Sequence, residues 1–170
     1  MGSVHGVSKG LDESNKDDAI IWFGKMAADF LAQGTLPHET YLVPIPNTKC
    51  TIDSEHKPRT ALLANAIATY LDNVEMTDIL RWKESMESAH SGSGTRDPFL
   101  LIENLAAIEK VPQASIVLVD DVVTTGGHIK ACARFLTDRG GKVLSAICAA
   151  RTVQISQENP FTLHHEVLEY

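Results

Sequence analysis

Residues 115–128, with the sequence SIVLVDDVVTTGGH, constrain the fold more than any other stretch of the chain. Residues 116–119 are uniformly apolar and mostly β-branched, which is typical of a strand buried on both faces of a parallel sheet. Two carboxylates, two threonines and two glycines follow. Apolar residues then recur at helical spacing, at Ile129, Cys132, Ala133 and Leu136. The stretch therefore predicts a strand that ends at the two carboxylates, a tight loop and a helix.

The loop between this predicted strand and helix suits a phosphate group. A glycine-containing turn that leads into a helix directs several backbone N–H groups into one small space, and the positive end of the helix dipole lies behind them. Asp120 and Asp121 stand directly before the loop, and two carboxylates would repel a bare anion. They need other partners, which are sugar hydroxyls, a divalent metal or both. A ribose phosphate with Mg²⁺ meets all of these requirements.

Three other interpretations compete with a ribose phosphate site. Four apolar residues followed by two aspartates also occur in the magnesium-binding strand of P-loop NTPases, but the sequence contains no G-x-x-x-x-G-K-[ST] motif. It contains no G-x-G-x-x-G motif either, which disfavours a dinucleotide site. The third alternative is a capped turn, in which Thr and Asp side chains satisfy the free N–H groups of the helix.

The sequence Val-Leu-Val-Asp-Asp at residues 117–121, followed by Thr-Thr-Gly-Gly at 124–127, resembles the phosphoribosyl pyrophosphate (PRPP) loop of the type I phosphoribosyltransferases. This resemblance implies an α/β fold with a Rossmann-like parallel sheet flanked by helices. It also implies a small hood built from the N-terminal and C-terminal segments. The implied activity is transfer of a phosphoribosyl group from PRPP to a nucleobase-like nitrogen acceptor, with Mg²⁺ as cofactor and pyrophosphate as product.

The resemblance assigns roles to individual residues. Asp120 and Asp121 would hold the ribose hydroxyls and, directly or through them, the metal ion, and they join Lys49 as the expected catalytic residues. The 5′-phosphate would be held by Val122, Val123, Thr124, Thr125, Gly126, Gly127 and His128. The family usually has Thr or Ser where this chain has His128. An imidazole can also donate a hydrogen bond, more strongly when protonated, or it marks a loop that has drifted from catalysis.

Residues 41–49, YLVPIPNTK, form a second informative stretch. A short apolar strand runs into two prolines and then a polar turn ending in Lys49, at the edge where open α/β sheets bind ligands. The stretch resembles the pyrophosphate loop of the family, particularly the Val-Pro-x-Pro form of the competence-associated (ComF-type) members. Their Gly-Phe-Asn-Gln after the arginine is absent here, where residues 60–63 are TALL. The residues expected to contact pyrophosphate are Asn47, Thr48, Lys49, Arg59, Lys83 and Arg96.

Residues 83–97 are polar, rich in Ser and Gly, and longer than most connections between elements. They are either a disordered insertion or a mobile functional loop. In the resembled family a flexible loop at this place closes over PRPP and shields the reacting centre from water. Lys83, His90 and Arg96 are its candidates for contacting pyrophosphate, and a solvated loop with incidental charges is the alternative.

The remaining stretches complete a single predicted domain over residues 17–170, with its core at about 41–151 and a flexible N-terminus at 1–16. Helical spacing from Ile20 to Leu31 predicts a helix. The resemblance implies that this helix forms part of the hood, and a helix packed on the sheet is the alternative. Residues 77–82 suit a helical turn or a strand equally. Asp97-Pro98 predicts the start of a helix that buries Leu101, Leu105 and Ile108. Gly140-Gly141 predicts a left-handed helix end, and residues 143–150 predict a second buried strand.

Composition limits the class of protein. The 170 residues suffice for one domain, and 44% apolar with 22% charged residues is an ordinary globular balance. A net charge of −7 makes an extensive nucleic-acid surface unexpected. No apolar run approaches the ~20 residues of a membrane span, so the sequence predicts a cytoplasmic protein without membrane contact. Three cysteines without C-x-x-C spacing predict buried thiols. A homodimer is implied by the resemblance alone.

Two hypotheses of different kinds therefore arise from the sequence. The first is an enzyme that transfers phosphoribosyl to a nitrogen acceptor. The second is a non-catalytic member of the same fold that senses PRPP or a nucleotide, for example as a competence-associated accessory protein. A third possibility is an α/β domain whose loop binds no ligand.

Overall fold

The computed structural model describes residues 16–85 and 98–152. Predictions for residues 1–15, 86–97 and 153–170, including His90, Arg96 and the C-terminal part of the hood, lie outside the described residues. The elements in chain order are α1 Lys16–Ala32, β1 Thr40–Pro44, α2 Thr60–Ala68, β2 Val74–Met76, β3 Leu80–Trp82, α3 Pro98–Asn104, β4 Leu105–Ala107, β5 Ser115–Val123, α4 Gly127–Thr137 and β6 Lys142–Arg151. Of the helices in these two ranges, none combines the length and the apolar character needed to cross a membrane.

The main sheet has the strand order β2-β1-β5-β6, and all of its pairings are parallel. β1 pairs with β5 over five residues, from Thr40 opposite Ser115 to Pro44 opposite Val119. Helices lie along both faces of the sheet, so the predicted α/β architecture is confirmed.

Two apolar clusters fill the space between the sheet and the helices, because successive strand residues point to opposite faces. On one face Leu42, Val117 and Val119 pack with residues of α1 and α2. On the other face Ile116 and Leu118 pack with residues of β3, α3 and α4. The residues predicted for the inner face of α4 are all buried. Helix α1 lies beside α2 against the sheet, which is the second of the two roles considered for it.

The C-terminal end of β5 and the exposure of β6 differ from the predictions. β5 continues past both aspartates, because Val122 and Val123 pair with Ala150 and Arg151 of β6. The prediction that β6 is a buried strand was wrong, since all of its residues are half-buried or exposed and Leu144 is 40% exposed. β6 is the outermost strand on its side of the described sheet. An apolar run does not distinguish an outer strand from a central one.

The segment left open at residues 77–82 contains strand β3, which pairs antiparallel with β4 in a separate two-stranded sheet. This pairing ends α3 at Asn104, so the prediction that the helix continues through Ile108 was wrong. Leu101 and Leu105 are buried as predicted, whereas Ile108 is 47% exposed. The chain becomes extended at Leu105 because it pairs there with Trp82.

Candidate functional site

The parallel pairing of β1 with β5 brings the two informative stretches to the same edge of the sheet. The Ile45 N–H donates to the Val119 carbonyl at 2.9 Å, so the chain leaves β1 directly beside Asp120. Residues 47–49 follow this exit and are called the β1 turn below. Residues 122–128 are called the β5 loop. Ligands of open α/β folds bind at this carboxyl edge of the strands.

The β5 loop and one of the acids enclose a common concavity. A small cavity of about 60 Å³ is lined by Leu101, Asp120, Val122, Val123, Thr124, Thr125, Gly126, Gly127, His128 and Ile129. Gly126 stands at the N-cap of α4 with φ of 76°, and no side chain caps this helix. The described structure therefore does not contain the capped turn that was considered as an alternative. The backbone N–H groups at the start of α4 lie at the loop without a side-chain acceptor.

The two acids differ in their surroundings. Asp120 is only 8% exposed, and its Oδ1 accepts the Asp121 N–H at 2.9 Å. The Asp121 Oδ1 accepts the Val122 N–H at 2.8 Å. Burial, with the neighbouring Asp121 charge as the second cause, raises the pKa of Asp120 to about 7. A cation or a hydroxyl donor bound here would relieve the cost of the buried charge.

Carboxylate oxygens are the ligands that Mg²⁺ prefers, so the donor type of Asp120 and Asp121 fits this ion. Within residues 16–85 and 98–152, no group of three or more His, Cys, Asp or Glu side chains is arranged to hold a metal. Two carboxylates would leave most ligand positions of a Mg²⁺ ion to water or to a bound ligand.

Burial disfavours the thiolate form of the cysteines near the acids. Burial raises the pKa of the Cys148 thiol to about 12, with Asp120 as the second cause, and the pKa of the fully buried Cys132 thiol is also raised. All three cysteines are free. The prediction of buried thiols is confirmed for Cys50 and Cys132, while Cys148 is half-buried.

The β1 turn is shaped by Asn47. Its Oδ1 accepts the Lys49 N–H at 3.1 Å and the Cys50 Sγ at 3.3 Å, and its carbonyl accepts the Cys50 N–H at 3.0 Å. The Lys49 side chain is exposed at the tip of the turn. The Asn47 Oδ1 is thus used within the turn. The cationic group of the turn is the exposed Lys49 side chain.

The other predicted pyrophosphate contacts lie in different places. Arg59 is exposed at the N-cap of α2, and the adjacent Thr60 hydroxyl donates to the Ile45 carbonyl at 2.7 Å, which places Arg59 near the exit of β1. The Lys83 Nζ donates to the Glu103 carbonyl at 2.6 Å, at the end of α3. Lys83 is therefore engaged with α3, whereas Lys49 and Arg59 are exposed near the β1 exit.

Sequence reasoning missed Trp82. Its Nε1–H donates to the Pro46 carbonyl at 3.1 Å, and its ring centroid lies 5.5 Å from that of His128. It also treated Leu101 and Ile129 only as core residues, although both line the cavity. The available signal for Trp82 was a tryptophan that follows Ile79 and Leu80 and stands just before the polar residues 83–97.

Comparisons with known proteins identify the family and the fold of the chain. The sequence model of the phosphoribosyl transferase domain family matches residues 59–160. No curated protein sequence matches the chain significantly. The fold is similar to that of a hypoxanthine phosphoribosyltransferase from Staphylococcus aureus, with a TM-score of 0.51 at 10% identity over 84% of this chain and 71% of that one.

The fold is also similar to that of an adenine phosphoribosyltransferase from Thermoanaerobacter pseudethanolicus, with a TM-score of 0.52 at 20% identity over 81% of this chain and 72% of that one. At these identities the likeness concerns the fold alone. A particular closeness to the ComF-type members is not confirmed. Because the family match covers more than half of the 170 residues, the chain belongs to the phosphoribosyl transferase domain family.

Proposed function

We propose that this protein binds PRPP together with Mg²⁺ and transfers the phosphoribosyl group to a nucleobase-like nitrogen acceptor, releasing pyrophosphate. The observation that supports this most strongly is the position of Asp120 in the same concavity as the β5 loop. The loop and the uncapped start of α4 suit a phosphate, and the acids suit hydroxyl groups and a cation. A sugar phosphate carries a phosphate group and hydroxyl groups in one small molecule, so it suits the loop and the acids together.

The proposed reaction is a displacement at the anomeric carbon of PRPP. The bond from that carbon to the pyrophosphate oxygen breaks, and the acceptor nitrogen forms the new bond through an oxocarbenium-like state. The β5 loop holds the 5′-phosphate, and Asp120 and Asp121 orient the ribose by accepting hydrogen bonds from its hydroxyl groups. Lys49 and Arg59 offset the charge that develops on the leaving pyrophosphate. Bound Mg²⁺ supplies further neutralisation of that charge.

A second candidate function is a non-catalytic sensor of PRPP or a nucleotide. The observation that favours it is His128, which places an imidazole where the resembled family has a hydroxyl. Burial lowers the pKa of His128, so the side chain offers the loop no positive charge at neutral pH. A competence-associated role, a cytoplasmic location, a homodimer and a single domain over 17–170 remain predictions.

Calorimetric titration with PRPP, with and without Mg²⁺, tests the site. We expect micromolar binding that tightens with Mg²⁺. The Asp120→Asn/Asp121→Asn double variant should bind about 100-fold or more weakly, because two charge-assisted hydrogen bonds are lost. Asp138→Asn is the matched control, since Asp138 is exposed at the far end of α4 and pairs with Arg134. Unchanged binding by a folded double variant would contradict the site.

Release of pyrophosphate separates the two candidate functions. Wild-type protein with PRPP and Mg²⁺ is mixed with a panel of nucleobases, and pyrophosphate is measured over time. The enzyme releases pyrophosphate only when a suitable acceptor is present, and the double variant serves as the blank. PRPP binding without acceptor-dependent release from any base would favour the sensor.

A further inference from the structure

Trp82 lies beneath both candidate substrate segments and contacts each of them. The side chain is fully buried. At one end its Nε1–H donates to the Pro46 carbonyl at 3.1 Å, immediately before the β1 turn. At the other side its ring lies 5.5 Å from the His128 ring, at an interplanar angle of 51°. His128 belongs to the β5 loop, so one side chain bridges the two segments.

The backbone of Trp82 holds the other end of the β1 turn. Its N–H donates to the Cys50 carbonyl, and its carbonyl accepts the Ile52 N–H, both at 2.9 Å. Trp82 is therefore hydrogen-bonded to Pro46, just before the first residue of the turn, and to Cys50, just after its last residue. The indole therefore fixes the start of the turn, and the Trp82 backbone fixes its end.

The position of Trp82 is itself rigid. Trp82 pairs with Leu105 across the two-stranded sheet of β3 and β4. Its ring belongs to the apolar cluster that also contains Ile45, Leu101 and Leu118. A large ring enclosed on all sides has little freedom to change rotamer, because interiors are packed near the density of organic crystals.

We propose that Trp82 is a positioning residue that sets the separation between the β1 turn and the β5 loop. A ligand with anionic groups at two ends, such as PRPP, can then engage both segments at once. This inference rests on the proposed function, since it assigns the β1 turn to pyrophosphate and the β5 loop to the 5′-phosphate. It adds a residue that neither motif contains.

Two variants separate the contacts of Trp82. Trp82→Phe removes the Nε1–H and keeps an aromatic ring for His128, whereas Trp82→Leu removes both. Phe135→Leu is the matched control, because Phe135 is a buried aromatic residue of the same cluster on α4. Affinities for ribose 5-phosphate and for pyrophosphate with Mg²⁺ are measured separately by calorimetry, and thermal unfolding is followed in parallel.

Trp82→Phe should weaken pyrophosphate binding about 2- to 10-fold, the effect of one lost hydrogen bond, and leave ribose 5-phosphate affinity within about 2-fold. Trp82→Leu should weaken binding of both ligands. Phe135→Leu should lower the unfolding temperature without changing either affinity. If Trp82→Leu does not fold, the two ligand affinities of Trp82→Phe, compared with those of wild type, still test the inference.

The inference is overturned if Trp82→Phe binds pyrophosphate as wild type does, or if it weakens both ligands equally. In those cases wild-type binding still supports the proposed function. If the folded wild-type protein binds neither ligand, the proposed function fails and the inference fails with it.

Discussion

The indole of Trp82 and the imidazole of His128 form a tilted aromatic pair with ring centroids 5.5 Å apart. This contact joins β3, which ends at Trp82, to the first turn of α4, which begins at Gly127, so 44 residues lie between the two elements. His128 is half-buried, and it places an imidazole at the position where the resembled family carries a small hydroxyl. Burial lowers the pKa of His128 despite the opposing effect of the Asp121 charge.

The lowered pKa of His128 predicts a loss of stability in acid. The unfolded chain, with a histidine pKa near 6.5, binds more protons than the folded chain as the pH falls through that value. The contribution of His128 to the free energy of unfolding should therefore decrease as the pH falls from 7.5 to 5.5. His128→Gln removes this contribution, so its stability relative to wild type should rise on acidification. Urea unfolding at several pH values measures the difference, and a rise in wild-type stability relative to the variant would contradict the prediction.

The raised pKa of Asp120 predicts the opposite dependence on pH. The folded chain holds a proton on this carboxyl up to about pH 7, whereas the unfolded chain loses it near 3.8. Stability from this group is thus present below pH 3.8 and is lost as the pH rises towards 7. Asp120→Asn should gain stability relative to wild type between pH 4 and 8, by up to about 4 kcal/mol. Denaturant unfolding measures the stability of Asp120→Asn relative to wild type. If this stability difference does not vary with pH, the pKa of Asp120 is not raised in the folded protein.

Gly126 adopts φ of 76° at the start of α4, where the β5 loop turns into the helix. Gly126→Ala should cost about 1–2 kcal/mol, because a Cβ is unfavourable in the left-handed region. It should also weaken ribose 5-phosphate binding, since the N–H groups of the loop are redirected. Gly140→Ala is the control, with φ of 89° just past the other end of the helix. It should lose stability and retain affinity, and equal affinity losses in the two variants would argue against a phosphate role for the loop.

Gly24 allows α1 to approach α2 closely. A Cβ at this position would lie 2.7 Å from the carbonyl carbon, the oxygen and the Cβ of Ala66. Gly24→Ala should destabilise the protein by about 1–3 kcal/mol through overpacking, although Ala favours helices over Gly. Gly34→Ala, whose Cβ would meet the Leu31 oxygen at an ordinary 3.6 Å, is the control and should be near neutral. Chemical denaturation of both variants measures this, and a stabilised Gly24→Ala protein would be contrary to expectation.

Local patterns were sufficient to predict several elements and one segment of the candidate site. The buried strand at residues 116–119, the inner face of α4 and the left-handed Gly140 after its end were all predicted correctly. Each depends on periodicity or on one residue's backbone preference, and these are readable within a dozen residues. The same local order places Asp120 next to the β5 loop.

Contacts between distant residues decided the rest. β5 extends to Val123 because Ala150 and Arg151 of β6 pair with its end, and α3 stops at Asn104 because Leu105 pairs with Trp82. Trp82 reaches Pro46 and His128, which lie far from it in the sequence. The amino-acid sequence by itself thus determined the strand, loop and helix that carry the candidate site. Only the tertiary structure decided which residue holds its two segments together, because that contact depends on packing between elements whose spacing no local pattern encodes.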